Sequence, residues 1–176
     1  SKADLIICEM LDTALIDEEE VPVLNHARQF LKEGGQIIPR SIINIAEPVY
    51  MENPRIQYED LDSHPKYEVL GDHVVYSDFD FLDYIEESFS TNINFTLFEE
   101  EFFYSKEPED KKFTEKDEEF SNSKNFADND LMEKSQYIKV NGIKITSFAR
   151  LGENLICCPT PMLNPAILVP IEEIRL

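Results

Sequence analysis

"DLIICEMLDTALIDEEEVPVLNHARQFLKEGGQIIP", residues 4–39, carries the most ordered pattern in the chain. It opens on a short, continuously apolar run, residues 4–8, of the kind that a parallel sheet buries on both faces. The run stops on Glu9, and Glu18 follows nine residues later at the head of an acidic cluster. Asp17 with Glu20 three positions on reads as a capping box. Val21, Leu24, Ala27, Arg28 and Leu31 then recur at helical spacing with only Arg28 polar, which predicts a helix over about residues 21–31. Pro22 fits only near a helix start. Gly34 and Gly35 read as the stop, and Gln36 to Pro39 as the next strand. The unit is strand, acidic loop, helix, glycine stop, strand. A first strand buried on both faces needs sheet on its other side, so the chain reads as the later part of something larger.

Beyond Ser41 the alternation of strand and helix gives way to short extended runs. "SIINIAEPVY", "HVVYSDFDF", "TNINFTLFEE", "YIKVNGIKITSFA" and "ENLICCPT" combine β-branched or aromatic residues with partial period-two alternation, as half-buried antiparallel strands do. Within "VNGI", Asn141-Gly142 has the chemistry of a two-residue hairpin turn. Residues 53–72 read as an exposed arm. Residues 99–132, acidic and poor in aliphatics, read as a mobile or peripheral insert. The tail from Cys157 spreads prolines among apolar residues and should be extended and edge-like. The fold class expected is α+β: residues 1–40 close an α/β sheet, and residues 41–176 form a β-rich domain interrupted by the insert.

The chain has 176 residues, enough for one ordinary domain or a domain with an appendage. Its formal charge of −20 repels a phosphate backbone and attracts basic peptides, which argues against nucleic acid as a partner. Solubility is the plainer reason for such acidity. Three cysteines, two of them adjacent, suit a reducing compartment better than a disulfide scaffold. His26, His64 and His73 share no ligand spacing with each other or with the cysteines, so no metal is expected. No run approaches the roughly 18 apolar residues of a spanning helix, and no leader pattern is present. These features predict a soluble, cytoplasmic protein.

The order "DLIICEM", "ALIDEEE", "VLNHARQFLKEGGQIIP" resembles the protein arginine methyltransferases, from the fourth strand of their cofactor-binding fold through the double-glutamate loop to the fifth strand. Glu9 and Glu18 stand at the two glutamate positions, Ala27 and Arg28 at an Ala-Arg pair, and Gly34, Gly35 and Pro39 at a Leu-x-x-Gly-Gly-x-x-x-Pro turn. "VVYSDFDF" and "GIKITSFARL" more loosely resemble the family's β-barrel domain. The resemblance implies the end of a class I methyltransferase sheet followed by a barrel-like domain, with S-adenosylmethionine as cofactor and a basic or arginine-rich protein as substrate. A homodimer is compatible with it. The family's glycine-rich cofactor loop and ribose-binding acid would lie upstream, which leaves Met10 as this chain's one candidate for cofactor contact, with core packing as the alternative. On that account the chain alone is inactive and binds the cofactor weakly or not at all. Met10 stands where the family tends to have Trp, Glu20 where it often has Met, and "CPTPMLNP" supplies neither His nor Trp of the family's Thr-His-Trp loop.

Two carboxylates suit a guanidinium, which stays protonated above about pH 12 and accepts bidentate, charge-assisted pairing. Glu9 and Glu18 are thus the catalytic candidates, holding the substrate and taking up the proton released on methylation. Glu9 has no capping duty, and ligand sites of open α/β sheets lie at the carboxyl ends of strands. For Glu18 and Glu20 there is a structural alternative, since acids in a first helical turn are favoured by the macrodipole. Cys8 reads as packing and Asp12 as an ordinary loop residue. The contrasting hypothesis is a non-catalytic acidic module for protein interaction or dimerisation, its glutamates only caps and surface charge.

Overall fold

The computed structural model describes residues 2–99 and 138–176. Most of its regular structure is β, with one α-helix. The opening unit is β1 (Ala3–Ile7), a 3₁₀ turn (Thr13–Leu15), α1 (Glu20–Ala27) and β2 (Leu31–Ile38). β1 and β2 pair in parallel, with Leu5 opposite Gln36, Ile6 opposite Ile37 and Ile7 opposite Ile38. Pro22 lies in the first turn of α1, where its missing N–H has no intrahelical partner to lose.

Three expectations for this unit need correction. The helix stops at Ala27, and Arg28–Phe30 form a 3₁₀ turn, because Leu31 already pairs with Ala3 and enters the core. Gly34 and Gly35 are not a helix stop. They lie within β2, where the four residues between Leu31 and Gln36 stand opposite Asp4 alone, and Gly34 takes φ +74° in that bulge. Nor is β1 buried on both faces: Leu5 is 43 % and Ile7 71 % exposed, since among the described residues only β2 pairs with it.

The second sheet has seven antiparallel strands: β3 (Ser41–Met51), β4 (Gln57–Tyr58), β5 (Tyr67–Val69), β6 (Val74–Asp80), β7 (Lys139–Gly152), β8 (Leu155–Cys157) and β9 (Ile167–Arg175). β3 and β7 form its spine, from Ser41 opposite Arg150 to Val49 opposite Gly142. On its other side β3 pairs first with β6 and then with β5, while β7 pairs with β9 and then with β8.

Asn141-Gly142 is not a hairpin turn but part of β7. The Asn141 side chain accepts from the Met51 N–H at 2.6 Å and donates to the Met51 carbonyl at 3.0 Å, satisfying the backbone at the end of β3. A Cβ on Gly142 would collide with the Met51 side chain, so the glycine serves close packing. Residues 91–99 form no strand, only a bridge of Leu97 to Gly71. The expected arm at 53–72 contains β4 and β5, with Leu70 buried. The tail is extended as expected, yet β9 lies between β4 and β7 at Ile167 and Leu168 and is buried there. The acidic insert expected at 99–132 falls, except for Glu99, outside the described residues.

One core cluster joins the two sheets: Leu24 of α1, Leu31 and Ile37 of β2 and Ile42 of β3 pack with Phe81 and Ile85 beyond β6. Asn25 reinforces it by donating to the Ile85 carbonyl at 2.7 Å and accepting from its N–H at 3.1 Å. No helix among the described residues is long and apolar enough to cross a membrane.

Candidate functional site

The loop between β1 and α1 carries both predicted catalytic acids. The Cys8 N–H donates to the Ile38 carbonyl at 2.8 Å, so the strand register persists one residue beyond β1. Glu9 follows, exposed, and Met10 is half-buried. Glu18 is exposed two residues before α1. Neither acid's side chain is engaged in a hydrogen bond or ion pair with another described residue.

Asp12 organises the loop from within. Only 8 % exposed, it accepts the backbone N–H groups of Asp17 and Glu18 on one carboxylate oxygen, at 2.5 and 3.2 Å. Asp12 is therefore a clasp, not an ordinary loop residue. Between clasp and helix, Ala14 (φ 62°) and Leu15 (φ 58°) occupy the left-handed region. A residue with a Cβ loses about 1–2 kcal/mol there, so surrounding contacts must over-determine the conformation.

Those contacts come from the antiparallel sheet. The Ala14 N–H donates to Ser147 Oγ at 2.8 Å, and Thr13 Oγ1 donates to the Pro165 carbonyl at 2.8 Å. Ser147 in turn donates to Asn44 Oδ1, whose amide donates to Ser77 Oγ at 2.9 Å. Asn164 donates to the Ser147 carbonyl at 3.1 Å. All four of these polar residues are buried, which makes the seat stiff. A further tie runs from the Tyr58 hydroxyl to Asp17 Oδ2 at 2.6 Å. The Asp17 carboxylate accepting that bond, together with partial burial and the charges of Asp17 and Asp12, pushes the Tyr58 phenol up to about 12.

The capping box expected of Asp17 and Glu20 does not form. α1 begins after Glu19 without any side-chain cap, and Asp17 is committed to Tyr58. Glu20 is fully buried, and among the described residues neither of its carboxyl oxygens has a hydrogen-bond partner. Burial first, and then the charges of Asp12 and Glu18, push its carboxyl up to about 8. Burial also raises the Cys8 thiol, with the charges of Glu20 and Glu9 adding to the shift against a backbone hydrogen bond from Met10. Glu20 thus feels Glu18 on one side and, through Cys8, shares a neighbour with Glu9.

Beside the seat a cavity of about 540 Å³ is lined by Glu59, Asp60, His64, Lys144, Thr160 and Pro165, among others. Lys144 is held there by the Tyr67 hydroxyl at 2.8 Å and Glu59 at 3.3 Å. Among the described residues no group of three or more His, Cys, Asp or Glu is arranged to hold a metal ion.

The sequence singles out Glu9 and Glu18 as candidates, but not the clasp of Asp12, the burial of Glu20, or the ties from Tyr58 and Ser147. Three successive glutamates do not announce which one turns inward. Tyr58 lay in a stretch read as an arm, and Ser147 is separated from Ala14 by 133 positions.

No protein-family model matches the chain. It is 35 % identical over 173 residues to an uncharacterized protein of Methanothermobacter thermautotrophicus, covering 98 % of this chain and 53 % of that protein. It is 30 % identical over 174 residues to an uncharacterized protein of Methanocaldococcus jannaschii, covering 98 % and 52 %. The chain therefore spans about half the length of the curated relatives it matches. Among solved structures it superposes on a chain of the Trypanosoma brucei PRMT1 enzyme-prozyme heterotetrameric complex with AdoHcy, with a TM-score of 0.62, 11 % identity and coverage of 99 % of this chain and 54 % of that one. At that identity the likeness is one of fold: this chain has a methyltransferase-like α+β fold.

Proposed function

We propose that this chain is the substrate-holding portion of an S-adenosylmethionine-dependent protein methyltransferase, with residues 1–40 ending its cofactor-binding sheet and residues 41–176 forming its β-rich domain. Glu9 and Glu18 grip a guanidinium of a basic or arginine-rich protein. The observation that carries this reading is the strained loop seated across two sheets with both its terminal acids exposed and unpaired. Strain held by buried hydrogen bonds is characteristic of functional sites, and a surface cap would not require it. The fold likeness supports the same reading.

S-adenosylmethionine would supply an electrophilic methyl group. Among the described residues only Met10, half-buried after Glu9, stands where it could touch such a cofactor at the strand's carboxyl end. That donor set does not make a cofactor site, so the groups that hold the cofactor would come from elsewhere in the polypeptide. The chain's own side chains bind and orient. Two carboxylates fix a planar guanidinium by charge-assisted hydrogen bonds, with the rigid seat holding their spacing. One of them takes the proton that the alkylated nitrogen gives up.

A methyl-transfer assay on arginine-rich peptides, in a polypeptide of the relatives' length, tests this. Glu9→Gln and Glu18→Gln should each lower turnover about 100-fold or more while thermal melts stay unchanged, because an amide neither pairs with a guanidinium nor accepts its proton. Full activity in both variants would refute the proposal.

The apolar surface of Leu5, Ile7, Ile16 and Val23, each 40 % exposed or more, favours a further role for this end of the molecule in association with more protein.

A further inference from the structure

Glu20 has no role in the grip described above. Its carboxyl is completely removed from solvent, with neither oxygen bonded to another described residue, whereas buried polar groups in native proteins nearly always find a partner. No described residue forms an ion pair with it, and the charges that act on it are those of acids, Asp12 of the loop's clasp and Glu18 two residues before it, so they oppose its ionisation. A carboxylate in such company has every reason to keep its proton, and a carboxylic acid without a partner still lacks a hydrogen bond. Helix position does not account for it either. The first residue of α1 is where the macrodipole favours a negative charge, but by only about 0.3–1 kcal/mol, less than burial costs an ionised group.

We infer that Glu20 is a third acid of the double-glutamate loop, neutral while the loop is empty, which releases its proton to solvent when a cationic side chain settles between Glu9 and Glu18. The inference rests on the proposed grip of a guanidinium by those two residues. One positive charge entering the loop compensates Asp12 and Glu18, the two charges that oppose ionisation of Glu20, and supplies the counter-charge that the buried carboxyl lacks. Binding and deprotonation are thereby linked. The O–H bond of the Glu20 carboxyl breaks, its proton passes to water, and its electron pair remains on the carboxylate. Glu20 thus acts as a positioning residue that favours a permanent cation over a neutral amide or hydroxyl of similar shape.

The linkage has a measurable size. With a carboxyl at about 8 in the empty loop, only about one molecule in ten is ionised at pH 7, so the apparent affinity for a cation should rise roughly tenfold between pH 7 and pH 9. Calorimetry of a Gly-Arg-Gly-type peptide on the full-length protein, run in two buffers of different ionisation enthalpy, reads the protons directly. The wild type should release about 0.9 proton per peptide at pH 7 and about 0.1 at pH 9. Glu20→Gln should bind with a pH-independent affinity and release none. Equal proton release in Glu20→Gln and wild type would overturn the inference, as would a Glu20 carboxyl that titrates near 4.5 in the ¹³C spectrum of the empty protein. The grip itself is tested separately: peptide binding that survives Glu9→Gln and Glu18→Gln defeats the parent reading, whatever Glu20 does. A wild type that binds no peptide defeats both.

Discussion

Glu20 also makes the protein's stability depend on pH in a direction opposite to that of an ordinary surface acid. Its carboxyl ionises at about 8 in the folded chain and near 4.5 when unfolded. Below 4.5 both states hold the proton, and the contribution to stability is fully present. Between 4.5 and about 8 the unfolded state releases the proton while the folded state keeps it, so stability falls as pH rises. At about 1.4 kcal/mol for each pH unit, the loss over that window is roughly 4–5 kcal/mol. This is a large share of a domain's usual stability of about 5–15 kcal/mol. Glu20→Gln keeps the shape of the protonated acid and removes the ionisation. It should match the wild type near pH 4.5 and exceed it by several kcal/mol at pH 9. Urea denaturation of both proteins at pH 5, 7 and 9 measures the difference, and titrating groups that do not interact with Glu20 cancel in the comparison. Parallel stability curves for the two proteins would refute the reasoning, and would mean that water or a rearranged loop solvates the carboxyl.

Two further substitutions probe the frame around the loop. Ser147→Ala removes the acceptor of the Ala14 N–H and the donor to Asn44; it should cost about 1–3 kcal/mol in urea melts and speed amide exchange at Ala14. Gly142→Ala forces a methyl group against the buried Met51 side chain with Val49 at 3.0 Å, and a loss of about 1–3 kcal/mol in thermal melts is expected, with no effect on peptide binding.

The sequence announced the opening unit because its signals are local: an apolar run, a helical period and a second apolar run define strand, helix and strand within forty residues. What it misread there, it misread for tertiary reasons. The helix is cut short by the pairing of Leu31 with Ala3, and the glycine pair serves a bulge within β2. Asn141-Gly142 shows the same conflict. Local turn chemistry favours a hairpin, but the amide of Asn141 finds both backbone groups of Met51 and the missing Cβ of Gly142 makes room for Met51 itself. The resemblance to a double-glutamate loop points to Glu9 and Glu18 as candidates, whereas the exchange of roles between Asp12 and Glu20 is invisible in the sequence. Both are acids near a helix start, and only the packed structure distinguishes the one that clasps amides from the one that is buried alone.

The acidic loop belongs by chain order to the strand-helix-strand unit, yet its shape is set by the antiparallel sheet. Thr13 reaches a carbonyl 152 positions away, and Ala14 a hydroxyl 133 positions away. Each bond adds only about 0.5–1.5 kcal/mol net, comparable to the strain of one left-handed residue, so neither bond alone would hold Ala14 and Leu15 in place. Together with the Asp12 clasp and the Tyr58 tie they over-determine the conformation. It follows that the conformation of the loop that carries Glu9 and Glu18 is set by the two sheets jointly. A change in the 159–166 segment that moved the Pro165 carbonyl would release Thr13, relax the strained turn and shift the loop without touching either acid. On the proposed reading, the placement of a bound cation would therefore depend on the β-rich part of the chain as much as on the loop itself.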